Sequence, residues 1–159
     1  MADFTFNSAL GRVVELYNRV KTNDPANSAL VVVALKANGI AADATLKDAA
    51  TLAAVLSSGT TSEASNAGYT RKVLTDTNLA GVTADTANDW IALAIPNQTW
   101  TSVAATGGAW AKLLICYDAD TTTGTDANVI PLTCHDFAVT PNGTDITATV
   151  PTTGFFRAT

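Results

Sequence analysis

The sequence is short of charge and of long apolar runs. Only 14% of its 159 residues are charged, against about 25% in an average soluble domain. The net charge is -5, which argues against a nucleic-acid binder, because that class needs clustered Lys and Arg against the phosphates. The longest aliphatic run, residues 29–35, has seven residues, far fewer than the ~20 that span a bilayer. We therefore expect no nucleic-acid partner and no membrane segment.

Residue types that carry chemistry are also scarce. The chain has two cysteines, Cys116 and Cys134, and one histidine, His135, so no zinc-ligand spacing exists. Neighbouring strand residues point to opposite faces, so Cys134 and His135 cannot pair on one face of a regular strand. No phosphate-binding glycine motif is present. We predict a protein that is not an enzyme and that has no cofactor and no metal site.

Alanine and threonine dominate what is present. There are 29 Ala and 26 Thr, and 47% of the residues are hydrophobic, which argues against global disorder. Residues 1–72 hold seven basic and six acidic groups, whereas residues 73–159 hold two basic and eight acidic groups. This asymmetry suggests two parts with different roles. The N-terminus lacks the basic and apolar regions of a secretory signal, so we expect assembly in a cytoplasm.

Two helices and one strand are predicted in the first part of the chain. Asn7 and Ser8 are suited to cap a helix that begins near residue 8, and apolar residues follow it at helical spacing. Residues 28–36 are apolar and β-branched and predict a buried strand. A Thr-x-x-Asp capping box at Thr45 and Asp48 predicts a second helix, which Ser57-Ser58-Gly59 ends.

The pattern changes at Tyr69 to short β-rich segments separated by turn residues. Pro141-Asn142-Gly143 lies between two such segments and predicts a hairpin. We expect a mainly β fold, with a β-sandwich or jelly-roll-like domain in residues 69–159 and a helix-containing N-terminal region in residues 1–68. The predicted strands in the second part span residues 69–75, 89–95, 98–104, 110–117, 129–140, 145–150 and 155–158.

The loop of residues 118–126 faintly resembles a calcium loop. Asp118, Asp120 and Asp126 occupy positions 1, 3 and 9, but Gly124 stands at position 7 rather than 6 and no Glu closes the loop. A solvated turn is the favoured interpretation, and a weak calcium site is the alternative.

Three tryptophans recur at intervals of ten residues, at Trp90, Trp100 and Trp110. Core packing of regularly spaced strands is the favoured interpretation. The alternative is a carbohydrate-binding platform, which requires solvent-exposed rings.

A longer stretch of sequence resembles virion structural proteins of tailed bacteriophages. The resemblance begins at the Glu-Ala-x-Asn-x-x-Tyr-x-Arg-Lys pattern of residues 63–72 and covers about residues 43–159. Further segments that carry it are residues 113–118 (Leu-Leu-Ile-Cys-Tyr-Asp), 135–137 (His-Asp-Phe), 140–145 (Thr-Pro-Asn-Gly-Thr-Asp) and 154–157 (Gly-Phe-Phe-Arg).

Small acidic β-rich proteins of this group are similar to capsid decoration (cement) proteins. The resemblance implies binding to the major capsid protein on the capsid exterior, self-association as a homotrimer and stabilisation of the coat lattice. Candidate contact residues are Arg71 and Lys72, with an exposed strand edge as the alternative, and the apolar face of the first helix, with an intramolecular core face as the alternative. The helix residues are Leu10, Val13, Val14 and Tyr17. The second candidate function is a tail- or fibre-associated module that contacts a host surface glycan.

Overall fold

Ten strands and three helices organise residues 3–159, the part of the chain that the computed structural model describes. The helices are α1 (Val13–Thr22), α2 (Asp43–Lys47) and α3 (Leu52–Leu56), and short 3-10 turns occur at Asn7–Ala9 and Asp76–Asn78. The strands are β1 (Phe4–Thr5), β2 (Ala29–Lys36), β3 (Lys72–Leu74), β4 (Ala84–Asp85), β5 (Trp90–Leu93), β6 (Gln98–Trp100), β7 (Trp110–Asp118), β8 (Ile130–Val139), β9 (Ile146–Ala148) and β10 (Phe156–Ala158).

A five-stranded antiparallel sheet forms the centre of the molecule, in the order β1-β8-β7-β2-β3. Two smaller sheets accompany it, one with the order β10-β5-β4 and one that pairs β6 with β9. The expectation of a mainly β, sandwich-like fold with a helix-containing N-terminal region is therefore confirmed.

Both faces of the central sheet are covered, which explains why β2 reads as a continuous apolar run. Register and side-chain alternation place Val32, Leu113 and Ile115 on one face. The segments around Ile95 and Phe155 lie over that face. Leu114 and Lys112 point to the opposite face, where Asp43 at the start of α2 contacts Lys112.

The first helix begins five residues later than the sequence predicts. Asn7 does not cap it, because its side-chain amide donates to the Asp48 carboxylate at 2.5 Å. Residues 7–9 form only a 3-10 turn. Gly11 then adopts a φ of 75°, a left-handed conformation that interrupts a right-handed helix before Val13.

The second predicted helix is divided into α2 and α3. Thr45 lies inside α2 rather than at its N-cap, so the predicted capping box is wrong. Thr51 is extended and caps α3 by accepting a hydrogen bond from the Ala54 amide at 3.2 Å. The amides of Leu52 and Ala53 donate to carbonyls of the 126–129 loop instead of continuing a helix.

The observed strand pairing bears on two further expectations, the hairpin and the domain boundary. The predicted hairpin at Asn142-Gly143 is wrong, because β8 pairs with β7 and β1 whereas β9 pairs with β6. The predicted boundary between residues 68 and 69 divides strands of one sheet. β2 comes from residues 1–68, and it lies between β3 and β7, which come from residues 69–159.

Candidate functional site

The predicted apolar face of the first helix is divided between the core and the surface. Val13 and Tyr17 are buried, and Val14 is half-buried against the core. Leu10 lies before the helix and is 60% exposed. The intramolecular alternative therefore holds for Val13 and Tyr17, because the chain itself covers them.

Tyr17 also anchors α1 to distant loops. Its hydroxyl lies 2.9 Å from the Ala80 carbonyl and 2.8 Å from the Ala94 carbonyl, and shares its single proton between them. Burial raises the pKa of this phenol. Tyr17 is therefore a core anchor rather than a contact residue for a partner.

Arg71, a predicted contact residue, is engaged within the chain. Its guanidinium donates to both oxygens of Glu63, the shortest contact being 2.6 Å, and to both oxygens of Asp126 at 2.6 and 3.0 Å. The Tyr69 hydroxyl donates to Glu63 at 2.8 Å and accepts from the Ala34 amide at 3.0 Å. This network joins the 60–71 segment, β2 and the 118–129 loop.

Hydrogen bonds and burial shift the pKa values of residues in this network. Hydrogen bonds to Asp126 and Glu63 raise the pKa of Arg71, and the Arg71 side chain holds the pKa of Asp126 below its usual value. Burial is the main cause that raises the pKa of Tyr69.

The three carboxylates of the proposed calcium loop face separate donors. Asp126 binds Arg71, Asp118 accepts from the Asp120 amide at 3.1 Å, and Asp120 accepts from Thr122 and Thr123. Residues 3–159 contain no group of three His, Cys, Asp or Glu placed to hold a metal ion.

The free edge of the central sheet carries the other predicted contact residue. We call Lys72 and Val73 on β3 the β3 edge. Within residues 3–159 only β2 pairs with β3, so β3 is the terminal strand of the sheet and its outer side has no strand partner there. Val73 is 50% exposed, and the Lys72 ammonium lies 5.4 Å from the centre of the Trp100 ring. An open edge strand offers backbone donors and acceptors to another chain.

The tryptophans lie in different environments. Trp100 and Trp110 are buried and pack edge to face with ring centres 5.3 Å apart, so core packing is confirmed for these two. Trp90 is half-buried, donates to Asp85 at 2.9 Å and carries the Arg157 guanidinium over its ring at 4.0 Å. Three exposed rings, which the glycan platform requires, are not present.

His135 lines a cavity of about 240 Å³ beside the central sheet. Its Nδ1 lies 3.0 Å from an Asp3 oxygen and its Nε2 lies 2.9 Å from the Thr133 hydroxyl. Thr133 is buried, so this chain of hydrogen bonds presents no accessible nucleophile. Cys134 is buried on the other side of the strand, as the alternation predicts, and burial raises its pKa to about 12.

Lys112 is the group that sequence reasoning missed. Its side chain is 0% exposed, and its Nζ lies 2.6 Å from Asp136 Oδ1 and 3.1 Å from Asp43 Oδ1. Burial lowers the pKa of Lys112, but hydrogen bonds with Asp136 and Asp43 outweigh burial and raise the pKa overall. A lysine within the apolar run of β7 was the available signal, because such a buried cation requires a carboxylate partner.

No family model, curated protein or solved structure matches this chain. Along residues 3–159, no helix has the length and apolar content needed to cross a bilayer.

Proposed function

We propose that this chain is a structural protein of a tailed-bacteriophage particle that binds the outside of the capsid. It would associate as a homotrimer and bridge neighbouring subunits of the major capsid protein without covalent bonds. The resemblance over residues 43–159 supports this class of function. The structural observation that carries the proposal is the β3 edge, which combines open backbone groups with an exposed apolar side chain.

The β3 edge suits a partner that supplies an extended segment. Backbone groups on the open side of β3 would pair with the partner strand, while Val73 would lose contact with water. Lys72 places a cation beside this contact, whereas Arg71 is held by Glu63 and Asp126. We therefore place the coat contact at Lys72 and Val73. Arg71 would act indirectly, by holding the segment before β3 through its pairs with Glu63 and Asp126.

A small contact of this kind is sufficient on a repeating lattice. Each copy in a trimer has further copies of the same site within reach, so the second and third contacts form at a high effective concentration. The avidity of the assembly then exceeds the affinity of one β3 edge, and bridged coat subunits would separate less readily.

Binding to purified capsids that lack the protein tests the assigned surface. Val73→Asp introduces a charge at the β3 edge, and we expect at least a tenfold loss of capsid binding with little change in thermal stability. The matched control is Ala138→Asp, an exposed position on β8, which two strands separate from β3. Equal binding by Val73→Asp and the control would remove the β3 edge from the proposal.

Localisation in reconstructed particles tests the function itself. A decoration protein is expected on the shell in numbers comparable to the coat subunits. Density for this chain confined to the tail would instead support the second candidate function, contact with a host glycan.

A further inference from the structure

The Lys112 cluster places a carboxyl acceptor, Asp136, and a second carboxylate, Asp43, against one buried amine. We propose that the Lys112 side chain and Asp136 form an intramolecular amide bond between β7 and β8, with Asp43 as the group that moves the proton. The inference concerns covalent chemistry within one chain and does not depend on binding to a capsid.

The sheet holds the two reacting groups in contact before any reaction. Lys112 and Asp136 are directly opposite one another in the β7–β8 register, and Nζ lies 2.6 Å from Asp136 Oδ1. Reacting groups fixed at such a distance behave as if present at very high concentration. An amide that is unfavourable between separate molecules in water is therefore favoured inside this fold.

Asp43 supplies the second requirement, a proton acceptor for the amine. Its Oδ1 lies 3.1 Å from Nζ. The same oxygen is buried, and its contact with Lys112 falls short of good hydrogen-bond geometry. It nevertheless lies within reach of a proton on Nζ. The position of Asp43 at the start of α2 keeps it against the sheet.

The surroundings also suit the reaction. The Lys112 side chain is 0% exposed, and its Nζ lies 5.8 Å from the centre of the Phe4 ring. Burial acts against the ammonium form of Lys112, although the contacts with Asp136 and Asp43 outweigh it in the resting protein. Asp136 is 39% exposed, which gives the departing water molecule a route to solvent.

The reaction balances without any oxidant or co-reactant. The Asp43 carboxylate takes a proton from the Lys112 ammonium, and the free amine attacks Cγ of Asp136. The N–C bond forms and the C–O bond of the leaving oxygen breaks. Nitrogen loses two protons in all, and Asp43 passes both in turn to the leaving oxygen, which departs as water. The overall change is ammonium plus carboxylate giving amide plus water, with no change of oxidation state.

The resting ion pair opposes the first step, because its hydrogen bonds favour the ammonium form of Lys112. Formation is therefore expected to be slow relative to folding and to require the folded chain. A sample kept unfolded in urea is expected to remain unmodified.

The intact mass of the folded protein tests the proposal. We expect a loss of about 18 Da, for one molecule of water, and a branched peptide that joins Lys112 to Asp136 in a tandem-mass digest. Lys112→Arg is expected to keep the full mass. Asp136→Asn is expected to lose about 17 Da, because ammonia replaces water as the leaving molecule. Lys47→Arg, on the exposed side of α2, is the matched control and should lose water as the parent chain does.

Asp43→Asn tests the proton-moving role separately. It keeps the shape of the side chain but accepts a proton poorly, so we expect formation of the link to slow at least about tenfold. A formation rate equal to that of the parent chain would overturn the assignment of Asp43.

Other outcomes overturn the amide itself. Full mass in folded protein after prolonged incubation would leave Lys112 as an ion-pair residue only. A branched peptide that joins Lys112 to Asp43 would overturn the choice of Asp136. A loss of water that persists in Lys112→Arg would assign the mass change to a cyclised aspartate elsewhere. Should Lys112→Arg fail to fold, the digest of the parent chain alone decides.

Discussion

Arg71 shows how one side chain can join distant parts of the chain. Its guanidinium binds Glu63, eight residues away, and Asp126, 55 residues away. Bidentate pairs of this kind are stronger than single surface ion pairs, since two aligned bonds share one geometry. The loop of residues 118–126, which the sequence also allowed as a calcium site, is instead held by an arginine.

The Arg71–Asp126 pair makes stability depend on pH. The pKa of Asp126 is lowered in the folded state, so its contribution is present above the unfolded value, near 3.8, and is lost as the pH falls through the folded value. Asp126→Asn is therefore expected to lower the free energy of unfolding by about 1 kcal/mol at pH 7, and by less at pH 3.

Urea unfolding at the two pH values measures this difference. Asp89→Asn is the matched control, because Asp89 is exposed and Asn accepts its positive φ of 55° equally well. An effect of Asp126→Asn that does not diminish at pH 3 would show that the Arg71 pair is not its cause.

Asn66 holds the loop of residues 101–109 by its side chain. Its Nδ2 donates to the carbonyls of Ala104 and Gly108 at 2.9 and 3.1 Å, and its Oδ1 accepts from the Trp110 indole at 2.8 Å. Gly107 lies so close to Asn66 that a Cβ there would come within 2.8 Å of it. The residue is therefore the centre of a buried polar contact.

Removal of the Asn66 amide leaves the buried Trp110 indole N–H and the Ala104 and Gly108 carbonyls without this partner. Asn66→Ala is expected to lower the free energy of unfolding by about 3 kcal/mol, measured by urea denaturation. The neighbouring exposed position provides the control, and Ser65→Ala is expected to change stability by less than about 0.5 kcal/mol. Similar losses for the two variants would contradict the role of Asn66.

At the scale of elements, the division of the second predicted helix depends on its surroundings. The amides at the start of α3 find carbonyl partners in the 126–129 loop, so the chain does not continue the helix through residues 48–51. Asp48, which the sequence assigns to a capping box, accepts a hydrogen bond from Asn7 instead.

Substitution of the two threonines distinguishes these arrangements. Thr51→Ala removes the N-cap of α3 and is expected to reduce stability by about 1 kcal/mol. Thr45→Ala removes no cap, because Thr45 is exposed within α2, and alanine is the better helix former. Thermal unfolding of both variants provides the measurement. A larger loss of stability for Thr45→Ala than for Thr51→Ala would support the predicted capping box at Thr45.

At the scale of the whole molecule, the central sheet ties the two predicted parts together. β2 belongs to residues 1–68, yet both of its neighbours, β3 and β7, belong to residues 69–159. Its apolar side chains are buried on both faces of the sheet. Without β2, β3 would lose the strand that pairs with it in the described part of the chain, and β7 would become an edge.

A fragment of residues 69–159 is therefore expected not to fold alone. We expect circular dichroism of the fragment to show no cooperative thermal transition, whereas the full chain should unfold in one transition. A fragment that melts cooperatively near the temperature of the full chain would support two independent domains.

Features that depend only on neighbouring residues could be predicted from the sequence. The runs of β2, β7 and β8 predicted strands because alternation and β-branched content are local properties, and the burial of Trp100 and Trp110 followed from their places in such strands. The tertiary structure alone decided which strands pair. It separated β9 from β8, buried Val13 and Tyr17 within the chain, and placed Lys112 beside Asp43 and Asp136. These contacts join residues from 24 to 77 positions apart, and no local pattern encodes them, because they arise only when the sheet fixes its register.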